Sequence, residues 1–201
     1  MSEAPGGPPV RVRVGDLLVA SPTLLDPNFT RTVVLMLDVD DEGALGVVLN
    51  RPSTVPVGEV LPAWRDLTGP LGVLFSGGPV STESALAVGA SSVLTPEVVS
   101  AAEDDPIGFR RLFDDVGIVD LDSPTAVVGP GLRGLRVFAG YAGWGREQLA
   151  DEIDSGAWYV LPSQRGDVFG DDPAGLWTRV LRRQPGELAW VTTRPADPTQ
   201  N

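Results

Sequence analysis

The sequence predicts an α/β protein of the α+β type, a single compact domain in which helices pack on a mixed, largely antiparallel sheet. Runs of aliphatic and β-branched residues outnumber the helical patterns and do not alternate regularly with them, as they would in a doubly wound parallel sheet. Many of these runs are continuously apolar, which is typical of strands buried on both faces. With 201 residues, 42% of them hydrophobic, the chain is long enough to bury one substantial core.

The clearest strand pair is a hairpin formed by residues 33–37 and 45–49, separated by turn-forming residues at 38–43. The acidic turn begins like a calcium loop, but Leu49 stands where such a loop needs a bidentate Glu, so the hairpin interpretation is favoured. We expect further strands at residues 15–20, 72–75, 84–88, 117–121, 135–139 and 157–161.

Cap residues and apolar periodicity predict helices at residues 96–103, 146–155 and 173–183. Thr95 would cap the first predicted helix, and Pro96 would occupy its first position. In the second helix, Leu149 and Ile153 lie four residues apart on one face. A further helical turn is expected at residues 106–113.

Both ends of the chain are rich in Pro and polar residues, which predicts disordered tails at residues 1–11 and 192–201 around one domain of residues 12–191. No apolar run approaches the ~20 residues that cross a bilayer, and the N-terminus has no secretory signal pattern. Together with the absence of Cys, these features favour a cytoplasmic protein without membrane contact.

The composition excludes several chemistries. The chain has no His and no Cys, and all 15 basic residues are Arg, so Ser-His-Asp triads, Ser-Lys pairs, thiol nucleophiles and zinc-thiolate sites are impossible. We expect no cofactor and no metal site. Carboxylate pairs are the remaining acid–base groups, and Asp120 with Asp122 would share one face of a strand. The formal net charge of −12 opposes contact with nucleic acid.

Two glycine-rich strings resemble ligand-binding motifs. The string Gly129-x-Gly131-x-x-Gly134 matches the dinucleotide fingerprint, but a strand follows it where that fingerprint requires a helix. Gly77 and Gly78 follow a predicted strand and could form a nest of backbone N–H groups for an anion, or only a sharp turn.

Residues 140–145, Gly-Tyr-Ala-Gly-Trp-Gly, are the most informative segment. We interpret them as a glycine-punctuated turn between a strand and the helix at 146–155, with positive φ at Gly143, Gly145 or both. Tyr141 and Trp144 would then lie beside the helix N-terminus. This arrangement suits a recognition cleft, although buried Trp and Tyr in tight turns also pack the fold.

These segments predict a candidate ligand-binding cleft without catalytic residues. An Arg just beyond a buried strand, as at Arg51, can clamp an anion or tie down a loop by bonding its carbonyls. The candidate cleft residues are Arg31, Asn50, Arg51, Gly77, Gly78, Tyr141, Trp144 and Gln148.

Several segments together resemble the AlgH/YqgE family of bacterial proteins. They are GDLLVASP at 15–22, DPNFTRTVV at 26–34, GALGVVLNRP at 43–52, GGPV at 77–80 and GYAGWG at 140–145, followed by Gln148, Leu149, Glu152, Ile153, Gly156 and Trp158. The resemblance implies a bifurcated sheet folded into a pseudo-barrel. It supplies no catalytic residues, and members are commonly described as transcriptional regulators. Where members often have Glu-His after the first long strand, this chain has Asp38 and Val39.

The sequence thus favours a non-enzymatic binding or regulatory protein, acting in transcriptional control through a small anionic ligand or a protein partner. The alternatives are a carboxylate-dependent hydrolase and a direct DNA-binding regulator, which the net charge disfavours. The sequence does not indicate the ligand or the oligomeric state.

Overall fold

The computed structural model describes residues 11–92, 105–145, 147–186 and 188–191. The helix predicted at 96–103 and, apart from Arg11, the predicted tails lie outside the described residues. The described residues form a single α+β domain in which a curled, mainly antiparallel sheet makes a half-barrel with helices packed on it, which confirms the predicted fold class.

The described part of the chain contributes ten strands to the sheet, in the order β10-β1-β2-β3-β9-β6-β8-β7, with β4 and β5 forming a branch. All neighbouring strands are antiparallel except β5 and β9, which are parallel. The strands are β1 Asp16–Ala20, β2 Val33–Val39, β3 Gly43–Val48, β4 Pro52–Pro56, β5 Val73–Ser76, β6 Val80–Ser91, β7 Phe109–Phe113, β8 Val116–Val119, β9 Leu132–Gly145 and β10 Trp158–Pro162.

The long strand β9 causes the bifurcation of the sheet. Its C-terminal part pairs with β3, while its earlier residues pair with β6 and, in parallel, with β5. The change of partner occurs around Gly140, whose φ of 70° is a backbone conformation that favours glycine.

The helices are short. They are α1 Val57–Val60, α2 Thr125–Val128, α3 Gln148–Asp154, α4 Arg165–Phe169, α5 Leu176–Arg182 and α6 Leu188–Val191, with 3-10 turns at Pro62–Leu67 and Gly129–Gly131. The predicted helices at 146–155 and 173–183 correspond to α3 and α5. In length and apolar character, the described helices fall short of what crossing a membrane requires.

The helical turn predicted at 106–113 is wrong for its second half, because Phe109–Phe113 is strand β7. This segment forms a hairpin with β8 around Asp114, which has a φ of 43°. Tertiary pairing with β8, which buries Phe109 against a hydrophobic cluster, outweighs the local propensity.

The buried hydrophobic residues that the structure describes form three clusters. The main one packs α5, through Leu176, Trp177, Val180 and Leu181, against β1, β2, β3 and β9. A second cluster surrounds Trp64, and a third surrounds Trp144 and Trp158.

Candidate functional site

The glycine-rich segment 140–145 is a strand and not a turn. All of it belongs to β9, and its last residues pair with β3 from Gly43 to Gly46. Neither Gly143 nor Gly145 has a positive φ, so that prediction is wrong; within this segment the positive φ occurs at Gly140. A Cβ on Gly140 would lie 2.7 Å from the carbonyl oxygen of Gly78, so glycine is required by a close backbone crossing.

Trp144 is a core residue. It is 5% exposed, and its ring centroid lies 6.1 Å from that of Phe29 and 5.8 Å from that of Trp158. Its Nε1–H donates to Oε2 of Glu152 at 2.9 Å, and Nε1–H of Trp158 donates to the same oxygen at 2.7 Å. One carboxylate thus satisfies both buried indoles, and Trp144 does not share an open cleft with Arg51.

Like Trp144, Gln148 and Tyr141 do not line the same pocket as Arg51. The Gln148 Nε2–H donates to Oε1 of Glu152 at 2.9 Å, and its Oε1 accepts the Gly145 N–H at 3.3 Å. Gln148 therefore links the end of β9 to Glu152 on α3. Tyr141 is half-buried and packs against the main core cluster.

Three of the predicted residues, Asn50, Arg51 and Gly78, line one open pocket of about 490 Å³. We call it the Arg51 pocket. It lies where the loop before β2, the ends of β3 and β5, and the start of β6 meet. Its lining residues are Pro27, Asn28, Val48, Asn50, Arg51, Pro52, Ser76, Gly78, Pro79 and Thr82.

Asn50 fixes the wall of this pocket. Its Oδ1 accepts the Val33 N–H at 3.0 Å, and its Nδ2–H donates to the Arg31 carbonyl at 2.8 Å. Arg31 has a φ of 55° and does not line the pocket; its guanidinium lies 5.4 Å from the centroid of the Trp177 ring. Asn50 and Arg31 therefore define the shape of the loop before β2.

Arg51 is exposed, and its Nη2–H donates to the Thr30 carbonyl at 3.0 Å. It makes no ion pair with any described carboxylate. A guanidinium has five N–H donors, so tethering the loop leaves most of them available to a ligand.

The glycines of the predicted nest allow two backbone segments of the protein to pass close to each other. The Gly77 N–H donates to the Ala139 carbonyl at 2.8 Å, and a Cβ on Gly77 would overlap the carbonyl oxygen of Gly140. Gly78 crosses Tyr141 equally closely. The Gly77 N–H is thus unavailable to an anion, whereas Gly78 still lines the pocket.

Asp120 and Asp122 do not share one face of a strand as predicted, because β8 ends at Val119 and both residues follow it. The Asp120 carboxylate accepts hydrogen bonds from the Ser123 hydroxyl at 2.8 Å and the Asp122 N–H at 3.0 Å. These bonds lower the pKa of Asp120 below its ordinary value, so it stays ionised as a turn-stabilising group. In the described parts of the chain, no three acidic side chains cluster as metal ligands.

Asn28, Ser76 and Thr82 contribute polar groups to the pocket and were not predicted. Asn28 belongs to the segment 26–34 and Ser76 immediately precedes Gly77, so adjacency to the predicted residues was the available signal.

Comparisons with known proteins identify the family. The model of the AlgH-like family matches residues 17–189, so the chain belongs to that family. A UPF0301 protein of Streptomyces coelicolor is 54% identical over 187 residues, covering 93% of this chain and 94% of the relative. A UPF0301 protein of Rhodococcus erythropolis is 42% identical over 190 residues, covering 94% and 92%.

Two solved structures share the fold. A crystal structure of a Corynebacterium diphtheriae protein superposes with a TM-score of 0.83 at 30% identity, covering 94% of this chain and 95% of that one. The solution structure of the AlgH protein of Pseudomonas aeruginosa has a TM-score of 0.61 at 24% identity, covering 90% and 93%. The resemblance stated from the sequence is confirmed, and none of these names states a ligand or a reaction.

Proposed function

We propose that this member of the AlgH-like family is a non-enzymatic binding protein that holds a small anionic ligand in the Arg51 pocket. The observation that carries the proposal is the charge of the pocket lining. Of the charged residues in the chain, 27 are acidic and 15 are basic, yet the described residues that line this pocket include one arginine and no carboxylate. A small oxyanion therefore meets a local positive charge in a protein whose net charge is −12.

The neutral groups of the lining suit the same ligand. The side chains of Asn28, Ser76 and Thr82 can donate hydrogen bonds to oxyanions, and Arg51 can add a charge-assisted, bidentate contact. The lack of carboxylate, His and Cys in the lining favours binding over acid–base catalysis at this place.

Backbone strain beside the pocket supports a functional role. Arg31, with a φ of 55°, bonds through its carbonyl to Asn50, and Ser81, with a φ of 48°, precedes Thr82. Non-glycine residues in this conformation are uncommon, and such strain concentrates at functional sites. Any role in transcriptional control would then act through the bound ligand or a protein partner, since the net charge opposes contact with DNA.

The test is an NMR titration with inorganic phosphate and acetate, which follows the backbone amides of Arg51, Ser76 and Gly78. We expect saturable shifts at these amides. Arg51→Gln should weaken binding about tenfold or more, because a charge-assisted hydrogen bond is lost. Arg13→Gln is the matched control, since Arg13 is exposed and lies outside the pocket lining.

The proposal is wrong if neither anion shifts these amides in a saturable way up to about 50 mM, which corresponds to negligible affinity. Equal weakening by Arg51→Gln and Arg13→Gln would also contradict it, because the effect would then reflect net charge alone.

A further inference from the structure

Three charged side chains are buried in the described parts of the chain: Asp115, Asp167 and Arg136. Two of them are paired. The Asp167 carboxylate accepts hydrogen bonds from both terminal nitrogens of Arg183, at 2.6 and 2.7 Å, and Asp115 contacts two arginines. Arg136, which is 7% exposed, makes no ion pair with a described carboxylate. A buried charge without a counter-ion is costly, so this residue requires an explanation.

Arg136 is held in place by neutral contacts. Its Nη2–H donates to the Gly170 carbonyl at 3.0 Å, and its guanidinium carbon lies 4.3 Å from the centroid of the Phe75 ring. Burial lowers the pKa of Arg136 to about 10. The negative charge of Asp171 opposes part of this decrease, because it stabilises the charged guanidinium. The side chain is thus preorganised, and its charge is poorly compensated.

Two more arginines reach the same pocket, from β9 and α4. The Arg133 Nη2 and the Arg165 Nε both contact Oδ2 of Asp115, the latter at 3.3 Å. Their side chains remain 43% and 45% exposed. Among the described residues, three arginines and Asp171 line this place and Asp115 contacts two of the arginines, which leaves an excess of one positive charge.

The pocket has a volume of about 230 Å³, and we call it the Arg136 pocket. Apolar groups complete its walls, including Leu71 from the loop before β5 and Phe169 from α4. It is separate from the Arg51 pocket and shares no lining residue with it, although the adjacent β5 residues Phe75 and Ser76 line one pocket each.

We propose that the Arg136 pocket is a second binding site, for a small organic oxyanion with an apolar stem. The phosphate or carboxylate group would lie against Arg136 and be reached by Arg133 and Arg165, as a counter-ion for the buried charge. The stem would pack against Leu71 and Phe169. Arginine forks match the geometry of carboxylates and phosphates, and a low-dielectric wall strengthens the attraction.

The competing explanation is that Arg136 only tethers the Gly170 loop to the sheet. The two explanations differ in what the exposed groups do. A tether alone binds no anion at this place, whereas the affinity of an anion site depends on the charges of Arg165 and Asp171.

The probe is phenylphosphate, titrated against the full chain by NMR while the amides of Gly72 and Gly134 are followed. The comparison ligands are inorganic phosphate, which has the charged group alone, and phenol, which has the aromatic ring alone. We expect phenylphosphate to bind more tightly than either, because it uses both the arginines and the apolar wall.

Two exposed positions give opposite expected effects on the affinity for phenylphosphate. Arg165→Gln should weaken binding about tenfold, because a charge-assisted contact is lost. Asp171→Asn should tighten it several-fold, because a competing negative charge is removed. Asp41→Asn is the matched control for net charge, since Asp41 is exposed and lies in the β2–β3 turn.

The inference is overturned if phenylphosphate leaves the Gly72 and Gly134 amides unshifted, or if Asp171→Asn and Asp41→Asn have the same effect. Binding that is lost in Arg51→Gln but unchanged in Arg165→Gln would place the anion in the Arg51 pocket alone. That result would overturn this inference and leave the proposed function standing.

Discussion

At the scale of single residues, the hydrogen bond to the Glu152 carboxylate accounts for the burial of the Trp144 indole in the core. Oε2 of Glu152 accepts both indole N–H groups, of Trp144 and Trp158, while Oε1 accepts a hydrogen bond from Gln148. The sequence indicated that Trp144 is important but left open whether it lines a cleft or packs. Its partner lies eight residues away on a helix, and the pairing of β3 with β9 buries the ring, so local sequence could not decide.

Trp144→Ala should therefore reduce the free energy of unfolding by roughly 3–5 kcal/mol, as expected when a large aromatic residue is removed from a core. Trp144→Phe keeps much of the packing and should cost less, about 1 kcal/mol for the lost hydrogen bond plus a small cavity term. Urea unfolding measures both. A loss below about 1 kcal/mol for Trp144→Ala would show that the residue is not part of the core.

At the scale of elements, the sequence predicted the strands that carry apolar runs and missed two others. Strand β4, Pro52–Pro56, begins and ends in proline and has one partner, β5. Strand β7, Phe109–Phe113, contains two arginines and forms at the sheet edge through its pairing with β8. Both form through tertiary pairing that a local pattern does not contain.

The glycine segments show the same limit. The sequence singles out Gly77, Gly78 and the segment that contains Gly140. In the structure, all three positions require glycine for one reason, which is that the β5–β6 connection crosses closely over β9. A sequence shows that glycine is present and does not show which distant backbone it approaches. For this reason the sequence predicts a positive φ at Gly143 or Gly145, whereas in the structure Gly140 has it.

Gly77→Ala should destabilise the fold by about 1–3 kcal/mol or more, because its Cβ would overlap the Gly140 carbonyl oxygen. Gly145→Ala is the matched control, because Gly145 lies in β9, the strand that Gly77 crosses. Its φ is not positive, a Cβ there meets no described atom within 4 Å beyond its chain neighbours, and the change should stay within about 0.5 kcal/mol. Thermal unfolding compares the two. Similar stability of both variants would contradict the crossing as the reason for glycine.

At the scale of the whole molecule, the fold brings together charges that the sequence separates. Asp115 precedes Arg133 and Arg136 in the sequence, and Arg165 follows them in a different element. Arg133 and Arg136 lie close together in the sequence, but no local pattern connects them with Arg165. Their common pocket arises because β9 and α4 meet, so the Arg136 pocket could not be predicted from the sequence, whereas Asn50, Arg51 and Gly78 of the Arg51 pocket were.

The net charge of −12, together with the Arg51 pocket and the Arg136 pocket, leads to a prediction about ligand size. A small anion needs only one local contact, and a pocket can outweigh the repulsive field at short range. A nucleic-acid duplex must place many phosphates along a surface, where the acidic field opposes it. We expect no sub-micromolar binding of duplex DNA in a fluorescence-anisotropy titration at about 150 mM salt, a condition that must be stated because phosphate contacts are salt-dependent.

The control for this experiment is the same protein titrated with phenylphosphate at the same salt concentration, which shows that the sample is competent to bind anions. Lowering the salt to about 50 mM should leave duplex binding weak, because few phosphate contacts are available to be strengthened. Sub-micromolar binding to a defined duplex, with an affinity that falls steeply as salt increases, would contradict the prediction. It would show that the arginines form a continuous phosphate-contacting surface and not two separate pockets for small anions.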